Sequence, residues 1–340
     1  MVQTNRFEWV DAGRGIAISL VALFHATNWM AGTGLDLSMW VDINTVASSL
    51  RMPLFFVLSG LFAAKWLIAP WRELLRTKVL LFMWVLVIWS IIGMAVQLTG
   101  LQAAGQQVNI LAGIRDVFLA PADPPFELWF IWALALFFIV AKLSRTVPVA
   151  VQLIAAGLLS AGGLTIWLTT TTGLTGSVKF YFFFIAGLYL RSIIVAFSRR
   201  SPWLLAAVFL AWAALSIALF ELGFRALPGV YFLNCVVGVL AGIAISRAFS
   251  GARLFRGLGR QTLPIYLAHT PIVIAISIVF FSFPGLIDLA SPFTWAVPPV
   301  VAAVAIALAV MLHRAASKTT PLSYLYQPPR VAVRALGGRP

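Results

Sequence analysis

The sequence predicts an all-α fold, a polytopic transmembrane helical bundle of about ten spans with both termini cytoplasmic. Three observations predict it. Of 340 residues, 61% are hydrophobic and only 10% charged, with a mean hydropathy of +0.98. A bilayer explains that balance and a water-soluble domain does not need it. The apolar residues fall in runs of about twenty without alternation. Lipid leaves no backbone polar group to water, so such runs cross as helices and not as barrel strands. Finally, Lys and Arg are dense in every second connection and sparse in the others, the signature of a fixed orientation.

Taken in order, spans are expected near 8–30, 44–65, 78–99, 126–142, 147–170, 178–195, 203–221, 228–248, 263–282 and 293–313. The first begins about eight residues in and passes twenty residues without a small-residue cleavage site, so it is expected to stay in the mature chain. With the amino terminus inside, 19 of the 24 Lys and Arg fall in inner segments, from Arg6 to Arg339. Arg51, Arg115, Lys179 and Arg225 fall outside, Arg14 falls within the first span, and seven of the ten acids are outside. An even number of spans then returns the carboxyl terminus to the cytoplasm. The longest connections, 31–43 and 100–125, are external. Residues 1–314 form the membrane-embedded domain and 315–340 a basic cytoplasmic tail, expected to lie loosely on the membrane surface. Topology accounts for the net charge of +14 without nucleic acid as a partner. The single cysteine, Cys235, lies in an apolar run, so neither a disulfide nor a Cys/His metal site is expected.

Ionisable residues inside spans are costly and point to function. The first helix carries Glu8, Asp11, Arg14 and His25. Eleven residues separate Arg14 from His25, close to three turns, so both project from one face about 16 Å apart along the axis. Asp11, one turn before Arg14, is placed to pair with it. Arg14 lies in the inner third of the bilayer and His25 near its outer edge. Arg51 and Glu127 open their helices at about the depth of His25. On the inner side, Arg72 and Arg76 share a helical face with Lys78 close by, an arrangement suited to phosphate as well as to plain positive-inside topology. His269 lies about six residues into the ninth span, with Tyr266 a turn earlier, so its expected depth matches Arg14. His313 ends the tenth span beside Arg314 and reads as interfacial. An Asp–Arg–His stripe also describes the ion or proton path of a transporter or flippase, although paired halves with matching broken helices are not evident.

Four blocks carry a resemblance. WVDAGRGIAISLVALFH (9–25) is similar to the first-helix signature of the acyltransferase 3 family of bacterial membrane O-acyltransferases: an acidic residue, then Arg-Gly, then His. RMPLFFVLSGLF (51–62) resembles its Pro-aromatic-aromatic-x-Leu-Ser-Gly block, ELWFIWAL (127–134) its Trp-Phe helix, and LGRQTLPIYLAHTP (258–271) its late Tyr-Leu-x-His block. The resemblance implies transfer of an acyl group, often acetyl, from cytoplasmic acyl-CoA. The acceptor is a hydroxyl of a carbohydrate, glycolipid or small molecule at the outer face of the bacterial inner membrane. The family's Arg–His pair maps onto Arg14 and His25. His25 is then expected as base or transient acyl carrier, since imidazole changes charge near neutral pH. Asp11 and Glu127 complete the expected catalytic set, Glu127 as an orienting partner. Arg51 is expected to stabilise an oxyanion or bind an anionic acceptor. Arg72, Arg76 and Lys78 are expected at the CoA phosphates, with Tyr266 and His269 lining the thioester channel, and no metal is expected.

Overall fold

Each of the ten apolar runs folds as a helix in the computed structural model, which describes residues 7–103, 105–165 and 171–335. Arg6, Arg339 and the last turn of the run expected to reach residue 170 lie outside the described residues. The helices are α1 (Glu8–Ala31), α2 (Ser38–Gly60), α3 (Trp71–Ala103), α4 (Phe126–Leu143), α5 (Val149–Thr165), α6 (Thr172–Tyr189), α7 (Pro202–Glu221), α8 (Val230–Ala248), α9 (Thr262–Ser282) and α10 (Val297–Ala316). No strand occurs among the described residues. By length and apolarity seven of them can cross a membrane: α2, α3, α4, α7, α8, α9 and α10. The run expected over 178–195 instead breaks at Leu190, and α6 with Arg191–Ser198 makes a pair bent by 79° that passes the same test as an eighth span. The 100–125 connection contains a further helix, Ile110–Leu119, capped by the Asn109 side chain accepting from Ala112 N at 3.0 Å. Its Leu111 and Phe118 are largely exposed, as on a helix lying against lipid.

α1 is central. It packs against α2, α8, α9, α10 and the short helix Arg253–Arg260. That is why a helix with Asp11 and Arg14 survives in an apolar bundle: its polar stripe meets protein and not lipid. Glycine sets the approach. A Cβ on Gly15 would strike the Phe255 carbonyl, and one on Gly259 would strike the Asp11 carbonyl. α2 crosses α6 in the same manner, with Gly60 against the Phe184 carbonyl and Gly187 against the Val57 carbonyl. Arg-Gly of the first block and Ser-Gly of the second are thus also close-contact points of the backbone.

Two other features shape the basic end of the bundle. Lys142, only 2% exposed, donates to the Trp66 carbonyl at 3.3 Å, to Leu67 O at 3.0 Å and to Ala69 O, closing the turn after the short helix Ala64–Ile68. Lys142→Met takes this donor from the Trp66 and Ala69 carbonyls, while Leu67 O keeps Arg145 Nη1 at 3.1 Å, and is expected to lower stability by about 1–3 kcal/mol. A thermal melt in detergent reads this out, and an unchanged midpoint would show that the cap is idle.

The chain after α10 differs from the loose tail expected. Trp84 donates to the Tyr324 carbonyl at 2.7 Å and Trp89 to the Leu325 carbonyl at 2.7 Å, while the Tyr326 ring packs on Trp89 at 5.6 Å and on His313 at 4.6 Å. Buried indole N–H groups need acceptors, and the returning chain supplies them. Burial pushes the Tyr326 phenol up to about 12. Leu325 and Tyr326 therefore belong to the core, and residues 315–327 are not a separate appendage.

Candidate active site

Two cavities lie one behind the other along α1. The first, of about 330 Å³, is lined by Arg14, Lys78 and Arg260 together with Ser59, Trp66 and Phe138. The second, of about 270 Å³, is lined by His25, Arg51 and Glu127 with Phe24 and Trp129. Phe55, Phe130 and Tyr266 line both. Those three rings form the partition between them, Phe55 meeting Phe130 at 4.7 Å and Phe130 meeting Tyr266 at 5.4 Å between centroids. The Tyr266 hydroxyl donates to the Glu127 carbonyl and ties the partition to the second cavity.

The polar stripe read on α1 is thus divided, Arg14 facing one chamber and His25 the other. Arg14 donates to the Leu58 carbonyl at 3.2 Å and lies over the Phe62 ring at 5.2 Å. Asp11 accepts from Arg260 Nε at 3.3 Å, which joins α1 to the end of the helix Arg253–Arg260. Lys78 lines the Arg14 cavity, whereas Arg72 and Arg76 do not. A wide π turn over Leu75–Val79 interrupts the helix between Arg72 and Lys78, so their spacing is not that of a plain α-helical face.

Glu127 owes its position to its backbone. Pro124 and Pro125 precede a short 3-10 turn, Phe126–Leu128, and Phe126 takes φ = 55°, a left-handed conformation that bulky residues avoid. Its ring fits because Gly93 of α3 has no side chain there. The turn points Glu127 into the His25 cavity, where it is 6% exposed. Arg51 is equally buried. Its Nη1 donates to Asn44 Oδ1 at 3.3 Å, Asn44 in turn donates to Thr27 Oγ1 at 3.0 Å, and its guanidinium lies 4.2 Å from the Phe24 ring centre. α1 and α2 together hold this cation beside His25.

The expectation that Glu127 holds the His25 ring directly is not met, since no ion pair joins Glu127 to His25 or Arg51 among the described residues. The neighbour of His25 is His269, with ring centroids 5.3 Å apart. This corrects the expected depth of His269, placed by sequence beside Arg14. Gly259 abuts Asp11, so α9 begins already inside the bundle, and His269 is carried up to the level of His25. His269 Nδ1 faces the carbonyls of Ile265 at 3.0 Å and Tyr266 at 2.8 Å, which assigns its proton to Nδ1. Its Nε2 meets the Thr270 hydroxyl at 3.2 Å. Thr270, Asn44 and Arg260 went unread in the sequence. Arg260 was legible as the last residue of an Arg-rich stretch directly preceding the late block, while the other two are short polar side chains without a signature.

All four sequence blocks line these two chambers. A family model described as an acyltransferase domain matches residues 7–314. The chain belongs to the acyltransferase 3 family. No curated protein and no solved structure matches it. Family and apolar helices together make this acyltransferase a multi-pass membrane protein. Within it, the Arg14 chamber offers three cations, and the His25 chamber offers an imidazole, a buried cation and a buried carboxyl group within one small volume.

Proposed function

We propose that this acyltransferase takes an acyl group, acetyl in the simplest case, from cytoplasmic acyl-CoA and passes it to a hydroxyl of a carbohydrate, glycolipid or small-molecule acceptor. The acceptor stands at the outer face of the bacterial cytoplasmic membrane. All ten helices cross in this reading, and both termini are cytoplasmic. α1 can cross despite its charges because four long helices surround it. The observation that carries the reading is the meeting of a cationic chamber and an imidazole chamber at one aromatic partition. An extended pantetheine arm is about as long as the ~16 Å between Arg14 and His25, so the thioester reaches His25 while the nucleotide stays on the basic side.

In the reaction, the acceptor oxygen attacks the thioester carbonyl as His25 takes the hydroxyl proton. Arg51 faces the oxyanion that forms, a cation already desolvated and held by Asn44. The intermediate collapses by breaking the carbon–sulfur bond, and the imidazolium returns the proton to the departing thiolate, leaving free CoA. His269 buttresses the His25 ring, and Glu127 supplies a carboxyl group to the same chamber.

The test is direct. Protein in nanodiscs with labelled acetyl-CoA should release free CoA in step with label on a hydroxyl acceptor. Ion or solute flux through vesicles without thioester consumption would overturn the reading in favour of a transporter, an alternative that the family match does not support. Reversing Arg72 and Arg76 to Glu is expected to weaken acyl-CoA binding about a hundredfold through charge repulsion with the phosphates. An unchanged Kd by calorimetry would remove both residues from the CoA site.

A further inference from the structure

A cavity larger than either chamber, about 740 Å³, belongs to neither of them. It is a groove at the basic end of the bundle, between the start of α7 and the end of α8. Arg199, Arg200 and Arg247 stand along it, and Leu205, Phe209 and Ile245 form its apolar walls. No acidic residue lines it. Between residues 191 and 260 the sole acid is Glu221, at the opposite end of α7. No ion pair or side-chain hydrogen bond engages any of the three guanidinium groups among the described residues. Three cations gathered at an apolar groove without a counterion call for an amphipathic anion.

The surroundings say which one. Trp203, 86% exposed, stands beside the groove as an interfacial anchor, and Leu204 and Leu210 on the same helix face outward, so this flank of α7 meets lipid. Ser201 caps α7 by accepting from Leu204 N, which places the positive end of the helix dipole at the groove. The arginines gather at the end of the bundle and the apolar wall runs inward from them along α7 and α8, the order of headgroup and acyl chain in a lipid.

We propose that this groove binds an anionic glycerophospholipid of the leaflet at the basic end, its phosphate held by Arg199, Arg200 and Arg247 and one acyl chain laid along Leu205, Phe209 and Ile245. The site is separate from the acyl-transfer chambers and does not rest on that reaction.

Native mass spectrometry of the full chain tests it, after exchange into vesicles of phosphatidylcholine with and without phosphatidylglycerol. The wild type is expected to retain phosphatidylglycerol over phosphatidylcholine by roughly a hundredfold, as three interfacial arginines allow. The R199A/R200A/R247A variant should lose that preference, and the R253A variant should keep it. A206W fills the groove from an exposed position and leaves the arginines in place, so it should also displace the lipid. Equal retention by the wild type and both groove variants would overturn the proposal, as would complete displacement by soluble glycerol phosphate, which would mark a site for free phosphate instead.

Discussion

His25→Ala is expected to cut acyl transfer by about 10²- to 10⁴-fold with no change in acyl-CoA binding. The two effects separate because His25 lines only the second chamber, whereas Arg14, Lys78 and Arg260, the cations nearest the proposed CoA path, line the first. The imidazole has no hydrogen-bonding partner among the described residues, so its removal leaves no buried group unpaired, and the variant should fold and melt as the wild type does. Rates with saturating acyl-CoA should therefore fall while the acyl-CoA Kd holds. Full activity in the purified variant would sink the assignment. A stable acyl adduct trapped on His25 without acceptor would change its role from base to carrier.

The second large effect is structural. Gly187→Val should remove most folded protein, because the new side chain meets the Val57 carbonyl where α6 crosses α2. Forcing backbone apart in a packed core costs about 1–3 kcal/mol or more, and the reciprocal contact of Gly60 with the Phe184 carbonyl is lost in the same movement. α2 also carries Arg51 and Phe55, so surviving protein should transfer poorly. Gly257, with open space where a Cβ would sit, is the control, and Gly257→Val should be tolerated. Yield of monodisperse protein on gel filtration decides between them, and equal yields would mean that the crossing is looser than drawn.

Helices were legible because the bilayer imposes length and apolarity locally: each of the ten runs can be seen without knowledge of the others. The Arg14–His25 stripe was legible for a similar reason, since both residues lie on one helix and its period alone aligns them. Relations between helices were harder. The level of His269 depends on where α9 starts, and that start is set by Gly259 against Asp11, a contact 248 residues apart in the chain. The docking of Leu325 and Tyr326 depends on Trp84 and Trp89 needing acceptors, which no pattern within 315–340 could announce. The turn that aims Glu127 depends on Gly93 leaving room for the Phe126 ring.

The partition of Phe55, Phe130 and Tyr266 has an electrical meaning as well. Each elementary charge leaking across a membrane dissipates about 2.3 kcal/mol per 100 mV, so a permanently open bore joining the two chambers would short-circuit the cell that made it. Three rings in series, Phe55 on Phe130 and Phe130 on Tyr266, stand where such a water column would run. An uncharged thioester has only to rotate side chains to pass, whereas a hydrated ion must first shed its water. In the proposed reaction acyl groups thus cross an insulator, and drilling the partition with Phe55 and Phe130 reduced to alanine should make the bilayer leak before it makes the enzyme faster.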